Sequence, residues 1–332
     1  MSSIEDLRSL AFIVGAPRCG TTTMWRMLAG HPQVAVPFVK EPHFFSQHDL
    51  RGLSDDELRE RVERDYLGHF FADRRPGRNV GADGSVSYLY TPEQLKPIVR
   101  LWPSARFIIA VRDPLKLLPS LHKRLLFIGD EDLARFEDAW AAAPERAKGR
   151  QIPKRCIEPR WLRYDEAGRF GTYVERLFAA VGRERCMVSV FDDLERDPAG
   201  HSRRIFDFLG LEAVKVQVQV ARESKQVRYP WLQRLLKRPP RALHPYLANI
   251  QLRRRLAKAA RDEAGKASGT ARLLALRKRL LKWNEVDNAK QPVPIHVQRE
   301  IRRHLKGEVE RLARLINRDL SHWLQPRIEL RA

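Results

Sequence analysis

The chain has 332 residues, 43% of them hydrophobic, and a formal net charge of +21. That length allows one large α/β domain or a domain with an appendage, and no apolar stretch approaches the roughly 18 residues that would nominate a membrane span. Cys19, Cys156 and Cys186 show no paired or metal-ligand spacing, and residues 1–6 lack the basic-then-apolar start of a secretory signal, so a reducing cytoplasm is expected.

The first strand signal is the apolar run Ala11 to Val14, followed by a helix pattern from Thr21 through Leu28. Between them Gly15 and Gly20 are spaced as in the phosphate-binding pattern G-x-x-x-x-G-K-[ST], but the two residues after Gly20 are Thr21 and Thr22. The lysine that reaches the β- and γ-phosphates is absent, and Arg18 is the loop's one cation. Helix-start N–H groups still favour an anion. The loop therefore keeps a phosphate site while pointing away from ATP hydrolysis.

Further along, Val34-Ala-Val36 reads as a short strand running into Lys40-Glu-Pro-His-Phe-Phe-Ser46. Ser54 with Glu57 forms a capping-box pattern at a helix start. Val80-Gly-Ala-Asp83 predicts a brief strand before Gly84-Ser-Val-Ser-Tyr88, and Thr91-Pro-Glu opens a short helix ending near Arg100. Arg106 to Val111 is the clearest buried strand, broken by Arg112-Asp-Pro114. Residues 129–160 read as loop-rich, with a helical piece around Leu133–Ala142. A helix near Gly171–Val181, a strand Cys186–Phe191 and a helix Ser202–Leu209 capped by Asp197-Pro-Ala-Gly200 complete the pattern. Strands alternating with helices predict an α/β fold, a P-loop-like parallel sheet flanked by helices, with binding sites at the carboxyl ends of the strands.

Charge divides the chain differently. Residues 231–332 hold 25 Lys and Arg against 9 Asp and Glu, a net of +16, whereas residues 1–230 carry only +5. The expected organisation is a core over 1–230 and a basic helical C-terminal extension over 231–332, whose last helix, about Val297–Asn317, packs back on the core. Pro239-Pro240, Pro292 and Pro294 punctuate that extension. Such a block suits nucleic acid, an anionic membrane surface or an acidic polymer, or is simply a set of solvated Arg-rich faces.

Four segments fall at strand ends: Gly15–Thr22, Lys40–His43, Gly84–Tyr88, and Arg112 with Ser120 eight residues on. A guanidinium at a strand end and a hydroxyl two helical turns along suit a second phosphate. The ligand implied carries two separated phosphate groups.

On these residues the chain resembles the sulfotransferases that use 3'-phosphoadenosine 5'-phosphosulfate, most of all the heparan-sulfate type and its bacterial relatives. Gly15-x-Pro17-Arg18-x-Gly20-Thr21-Thr22 is similar to that family's 5'-phosphosulfate loop, and Arg112-Asp-Pro with Ser120 to its 3'-phosphate motif. Lys40-Glu-Pro-His-Phe-Phe45 is similar to the loop bearing the catalytic glutamate in heparan 3-O-sulfotransferases. Ser85-Val-Ser-Tyr88, Asp197 to Leu211 and Asn317 to Trp323 also resemble family landmarks. The likeness is good over 11–128 and 170–211 and poor over 129–160 and 231–290. Arg18 stands where the heparan enzymes have lysine.

The resemblance implies transfer of a sulfuryl group to an acceptor hydroxyl, or less favourably an amine, with no metal required. Glu41 would be the general base, with Lys40 and His43 tuning it or holding sulfuryl oxygens and Arg18 serving the leaving phosphate. Pro17, Arg18, Cys19, Gly20, Thr21, Thr22, Arg112 and Ser120 would bind the donor. Lys225 and Arg228, in Glu223-Ser-Lys-Gln-Val-Arg228, would cover it. Phe44, Ser87 and Tyr88 would line the acceptor. Each has a plainer reading: a solvated loop carboxylate for Glu41, a packed histidine for His43, a helix-cap partner of Asp113 for Arg112, core for Phe44, a structural tyrosine for Tyr88. A small-molecule kinase would need the missing lysine and a magnesium carboxylate. A nucleic-acid-binding module would need a finger, homeodomain or aromatic-interleaved signature in the basic block, and none is there. A cytoplasmic bacterial enzyme is expected, able to sit peripherally at a membrane, acting on a small-molecule or glycan acceptor, anionic or membrane-associated.

Overall fold

The computed structural model describes residues 4–72, 77–154, 156–214, 226–237, 269–286 and 292–325. By contacts the chain gathers into two units that interleave along the sequence: residues 1–117, 168–222 and 299–332 form the first, and 118–167 with 223–298 the second. The expectation of a core ending at residue 230 is a division by charge, and much of the extension, 238–268, lies outside the described residues.

The first unit holds a five-stranded sheet: β1 (Ser9–Gly15), β2 (Val34–Ala35), β3 (Val80–Asp83), β4 (Arg106–Val111) and β5 (Cys186–Val190). The spatial order is β2-β3-β1-β4-β5, and every pairing is parallel. After β1 the chain builds on one side, then crosses to add β4 and β5 on the other. The β1–β4 boundary is thus the switch point, where strand ends leave a crevice for a ligand. β1 and β4 are apolar on both faces because helices cover both. Phe12 of β1 stacks on Phe107 of β4 at 5.3 Å and meets Phe45 and Tyr88 edge-on at 6.0 Å.

Local chemistry sets most element ends as expected. Ser54 and Glu57 close a reciprocal capping box on the helix Asp55–Val62. Asp197 accepts from the Gly200 amide and caps a helix that begins earlier than expected, at Pro198, and ends at Gly210 with φ of 62°. Phe191 begins a helix (Phe191–Arg196) rather than ending β5. The Thr91 helix is a 3-10 turn, Pro92–Leu95, running into Lys96–Leu101. The helix Ile295–Leu315 lays Glu308 against the Thr172 amide (2.7 Å) and Leu305 against Gly168, where a Cβ would stand 2.7 Å from Leu305 Cδ1.

The second unit contains most of the helix Pro114–Ile128, short helices Phe136–Ala141 and Ala143–Ala147, and the described parts of the basic segment, Pro230–Lys237 and Gly269–Trp283. Two-residue strands β6 (Gln226–Val227) and β7 (Glu285–Val286) pair antiparallel. Its interior holds a charged pair: Arg146 grips both oxygens of Glu131 at 2.7 Å, with both side chains essentially unexposed. Tyr164 Oη donates to Glu131 at 2.9 Å, as do the amides of Asp132 and Leu133 at 2.9 and 3.0 Å. Burial pushes the Glu131 carboxyl upward, but Arg146 and the Leu133 amide outweigh it and hold it below its ordinary value.

Removing one partner strands the other charge in the interior. Arg146→Ala is expected to cost about 3–5 kcal/mol in urea unfolding, and pairing Arg146→Met with Glu131→Leu to recover stability relative to it. A loss under 1 kcal/mol for Arg146→Ala would contradict the assignment.

Candidate functional site

The phosphate loop is shaped by two glycines that no other residue replaces. Gly15 ends β1 at φ +135°, where a Cβ would lie 2.6 Å from the Val86 carbonyl oxygen. Gly20 has φ +83°, and its Cβ would meet Leu194 at 2.4 Å. Ala16 N–H donates to Ala110 O at 2.6 Å, so the loop leaves β1 still bonded to β4. The helix Thr21–Ala29 then starts, with the amides of Thr23 and Met24 donating to Gly20 O at 2.9 and 3.1 Å. The amides just before them, Cys19 to Thr22, are the ones a helix start leaves without an intrahelical acceptor, at the positive end of the dipole. Pro17 and Arg18 are half-buried beside them, and Arg18 has φ of 67°. Cys19 is fully buried, and burial pushes its thiol up to about 12 against the opposing charges of Arg112 and Arg18. Its contribution is its backbone, not its sulfur.

Arg112, at the end of β4, comes to this loop. Its Nη1 donates to Arg18 O at 3.0 Å, and its guanidinium lies 4.1 Å over the Phe191 ring. Its Nε is buried with no hydrogen-bond partner. Such an orphaned donor costs stability unless an acceptor arrives, so this guanidinium fits a phosphate oxygen. Asp113 instead accepts from the Leu115 amide at 2.9 Å and starts the helix Pro114–Ile128. Ser120 sits two turns along that helix, in the part belonging to the second unit. Also in that unit, Arg228 shares a cavity of about 200 Å³ with Pro119, His122 and Lys123. Lys225 lies outside the described residues.

The segment Lys40–His43 forms one ionic group. Lys40 Nζ pairs with Glu41 Oε1 and donates to Gly84 O at 3.3 Å, and His43 Nε2 lies 3.4 Å from Glu41 Oε2. The other ring nitrogen of His43 is 2.7 Å from Ser87 Oγ. Burial pushes the Glu41 carboxyl up, but the hydrogen bond with His43 and the charge of Lys40 outweigh it and bring it down to about 2. The segment follows β2, as its strand-end position predicts, but β2 is not a neighbour of β1. In the structure β2 pairs with β3, and β3 lies between. The loop is held instead along the residues after β3, through Gly84 N–H to Lys40 O (3.1 Å) and His43 N–H to Ser85 Oγ (2.8 Å).

Under that contact lies a residue the sequence reading did not single out. Asp83, at the end of β3, is fully buried and accepts from Tyr66 Oη and Tyr88 Oη at 3.0 Å each and from the Ser85 amide at 2.8 Å. Burial raises its pKa above the ordinary value against those hydrogen bonds. The signal available was an acid ending a strand otherwise apolar, a position with no reason to be charged unless satisfied. Tyr88 is therefore structural: fully buried, bonded to Asp83, and near the Phe45 amide. Phe44 is also buried, packed on Tyr66 at 5.4 Å, so both hold the loop from beneath instead of lining acceptor space. Ser87 is nearly buried and bridges His43 to Ser46.

Residues 11–215 match the Sulfotransferase family. The chain belongs to the sulfotransferase family. Similar curated relatives include the human heparan sulfate glucosamine 3-O-sulfotransferase 6, 28% identical over 215 residues, which are 61% of this chain and 53% of the relative. The mouse heparan sulfate glucosamine 3-O-sulfotransferase 3B1 is 28% identical over 216 residues, 61% of this chain and 46% of its own. Chicken protein-tyrosine sulfotransferase 2 is 24% identical over 220 residues, 61% of this chain and 51% of its own. The chain spans about half the length of the curated relatives it matches. A solved sulfotransferase from Alicyclobacillus acidocaldarius has the same fold, with a TM-score of 0.61 at 24% identity over 95% of this chain and 98% of that one. The α/β class read from the sulfotransferase sequence is thus the observed one.

Two tests follow from this geometry. Glu41 has its pKa lowered from an ordinary 4.5 to about 2. Its ion pairs therefore stabilise the fold fully above pH 4.5 and less as pH falls toward 2. The stability difference between the native chain and Glu41→Gln should shrink across that window; a constant difference would contradict the pairing. Asp83→Asn should leave binding of adenosine 3',5'-bisphosphate, a ligand with two separated phosphates, intact while displacing the Glu41 loop, lowering turnover by about 100-fold. Unchanged turnover would show that Asp83 does not position the loop.

Proposed function

We propose that this sulfotransferase transfers the sulfuryl group of 3'-phosphoadenosine 5'-phosphosulfate to a hydroxyl, less favourably an amine, of a carbohydrate, glycolipid or other glycosylated metabolite. The observation that carries the reading is the coupling of two anion sites across the switch point. A lysine-free phosphate loop with helix-start amides meets a guanidinium that is pinned to the loop by its Nη1 and keeps a buried Nε without a partner. The residues present fit a ligand with two phosphates. The amides of Cys19 to Thr22, with Pro17 and Arg18, would hold the 5'-phosphate and Arg112 the 3'-phosphate; Ser120, Lys225 and Arg228 are donor-binding candidates on the sequence resemblance alone.

Bound there, the donor supplies an activated sulfuryl group. Glu41 takes the proton of the acceptor hydroxyl. At rest it is a weak base, held near 2 by His43 and Lys40. Its proton affinity rises when the Lys40 ammonium turns from it to newly arrived negative charge. His43, oriented by Ser87, keeps the carboxylate in place. Arg18 and the loop amides stabilise charge building on the leaving phosphate. No residue in this scheme calls for a metal, and a kinase alternative lacks the loop lysine.

The acceptor class comes from the names of the heparan sulfate relatives and from the basic composition, which suits anionic or membrane-linked glycans. The three cysteines are free thiols, which supports a reducing, cytoplasmic setting. No helix among the described residues is long and apolar enough to cross a membrane.

Titration calorimetry with adenosine 3',5'-bisphosphate, in the presence of a chelator, should show micromolar binding. Arg112→Ala should weaken it by about 10- to 100-fold. Glu41→Gln should bind normally and turn over about 100- to 10,000-fold more slowly. No binding by the native chain would sink the proposal, and full activity in Glu41→Gln would remove Glu41 as the base.

A further inference from the structure

The helix Pro230–Lys237 in the second unit is packed with its polar side inward. Gln233 is fully buried, while Trp231 and Leu235, one turn apart, are 66% and 44% exposed. The inversion is locked by buried amides. Gln233 Nε2 donates to Phe127 O at 2.6 Å, and Asn284 Nδ2 donates to Gln233 Oε1 at 3.3 Å. Asn284, also fully buried, exchanges two further bonds with the Tyr229 backbone at 2.8 and 3.0 Å. Trp283, just before Asn284, is turned outward and half exposed, as is Leu276 two turns earlier on its helix. Tyr229 stacks on Trp283 at 5.8 Å and lies 6.4 Å from Trp231, which joins the two helices into one apolar face. Trp231 and Leu235 also line a hollow of about 820 Å³ with Leu133, Ile152 and Pro153.

A helix that satisfies a glutamine inside and leaves tryptophan and leucine in water has an apolar face that something else covers. Charge narrows the choice. Residues 227–237 and 276–286 contain seven Lys and Arg against one acid, Glu285. Lys278, Arg279 and Lys282 are exposed, and the Arg228 guanidinium lies 5.2 Å over Trp283. A second copy would bring the same positive charge and be repelled. An anionic polysaccharide would use the cations and leave Trp231, Leu235 and Leu276 in water. An anionic bilayer uses both: indole and leucine enter the headgroup–acyl boundary while lysine and arginine reach lipid phosphates. We propose that this face of the second unit docks on an anionic membrane surface, holding the enzyme where lipid-linked acceptors are concentrated.

The full chain is tested by sedimentation with vesicles of phosphatidylcholine alone and of phosphatidylcholine with phosphatidylglycerol. Binding to the anionic vesicles only is expected, reduced by salt, with tryptophan fluorescence quenched when the acyl chains are brominated. Trp231→Ser with Leu235→Ser should weaken binding by about tenfold or more and reduce the quenching. Lys278→Ala with Lys282→Ala should weaken binding and make what remains less sensitive to salt. Bisphosphate binding, retained in both variants, shows that they fold. A chain that binds no bisphosphate would instead contradict the sulfotransferase mechanism and leave the vesicle result standing. Absence of vesicle binding overturns the docking proposal. So does binding that survives the Trp231 and Leu235 changes without quenching and is displaced by heparin, which would mark the face as a polyanion site.

Discussion

The hydrogen bond from Arg112 to the Arg18 carbonyl ties the end of β4 to the phosphate loop that leaves β1, and the first unit is arranged to keep those two strand ends together. β1 and β4 are the central strands, the Ala16 amide extends their pairing past the last strand residue, and Phe12 and Phe107 stack beneath. Gly20 lets the loop lie against Leu194 and Phe191, and Phe191 in turn carries the Arg112 guanidinium on its face. Backbone amides and a guanidinium are thus brought together by packing that would be needed for the sheet in any case. On the proposed reading, Arg112 supplies the cation that the loop's missing lysine would have provided.

The Glu41 segment, the proposed third participant, is held differently. Its strand is two positions from β1, so the sheet alone does not deliver it. Delivery falls to the residues after β3, where the buried Asp83 collects two phenols and an amide, and Ser85 and Ser87 hold His43. A carboxylate resting near 2 is stable as an ion pair and poor as a base. On the proposed reading this is a means of keeping Glu41 charged and placed until the charge balance around Lys40 changes.

Much of this was legible in the sequence, for a physical reason: the informative groups are contiguous. Gly15 to Thr22 and Lys40 to His43 each carry their chemistry within a few residues at a strand end, where glycine, proline and charge stand out from apolar runs. The strands themselves are visible because both faces are buried. What was hidden depends on partners distant in sequence. Asp83 with Tyr66, the placement of β3 between β2 and β1, and the pairing of β6 with β7 across 58 or more residues leave no local pattern. Phe44 and Tyr88 looked open to an acceptor because aromatic residues in a loop do not disclose which way they face. The inward Gln233 has the same cause: a period of 3.6 shows that Trp231 and Leu235 share a face, but not that the face is outward.

The central claim is that the loop and Arg112 together select a ligand with phosphates at two separated positions. Phosphorus NMR of adenosine 3',5'-bisphosphate titrated with the protein, in the presence of a chelator, addresses it directly. The account predicts that both phosphorus resonances shift on binding and that ATP with magnesium fails to reverse the change. A shift confined to the 5'-phosphate, or ready displacement by ATP with magnesium, would contradict it.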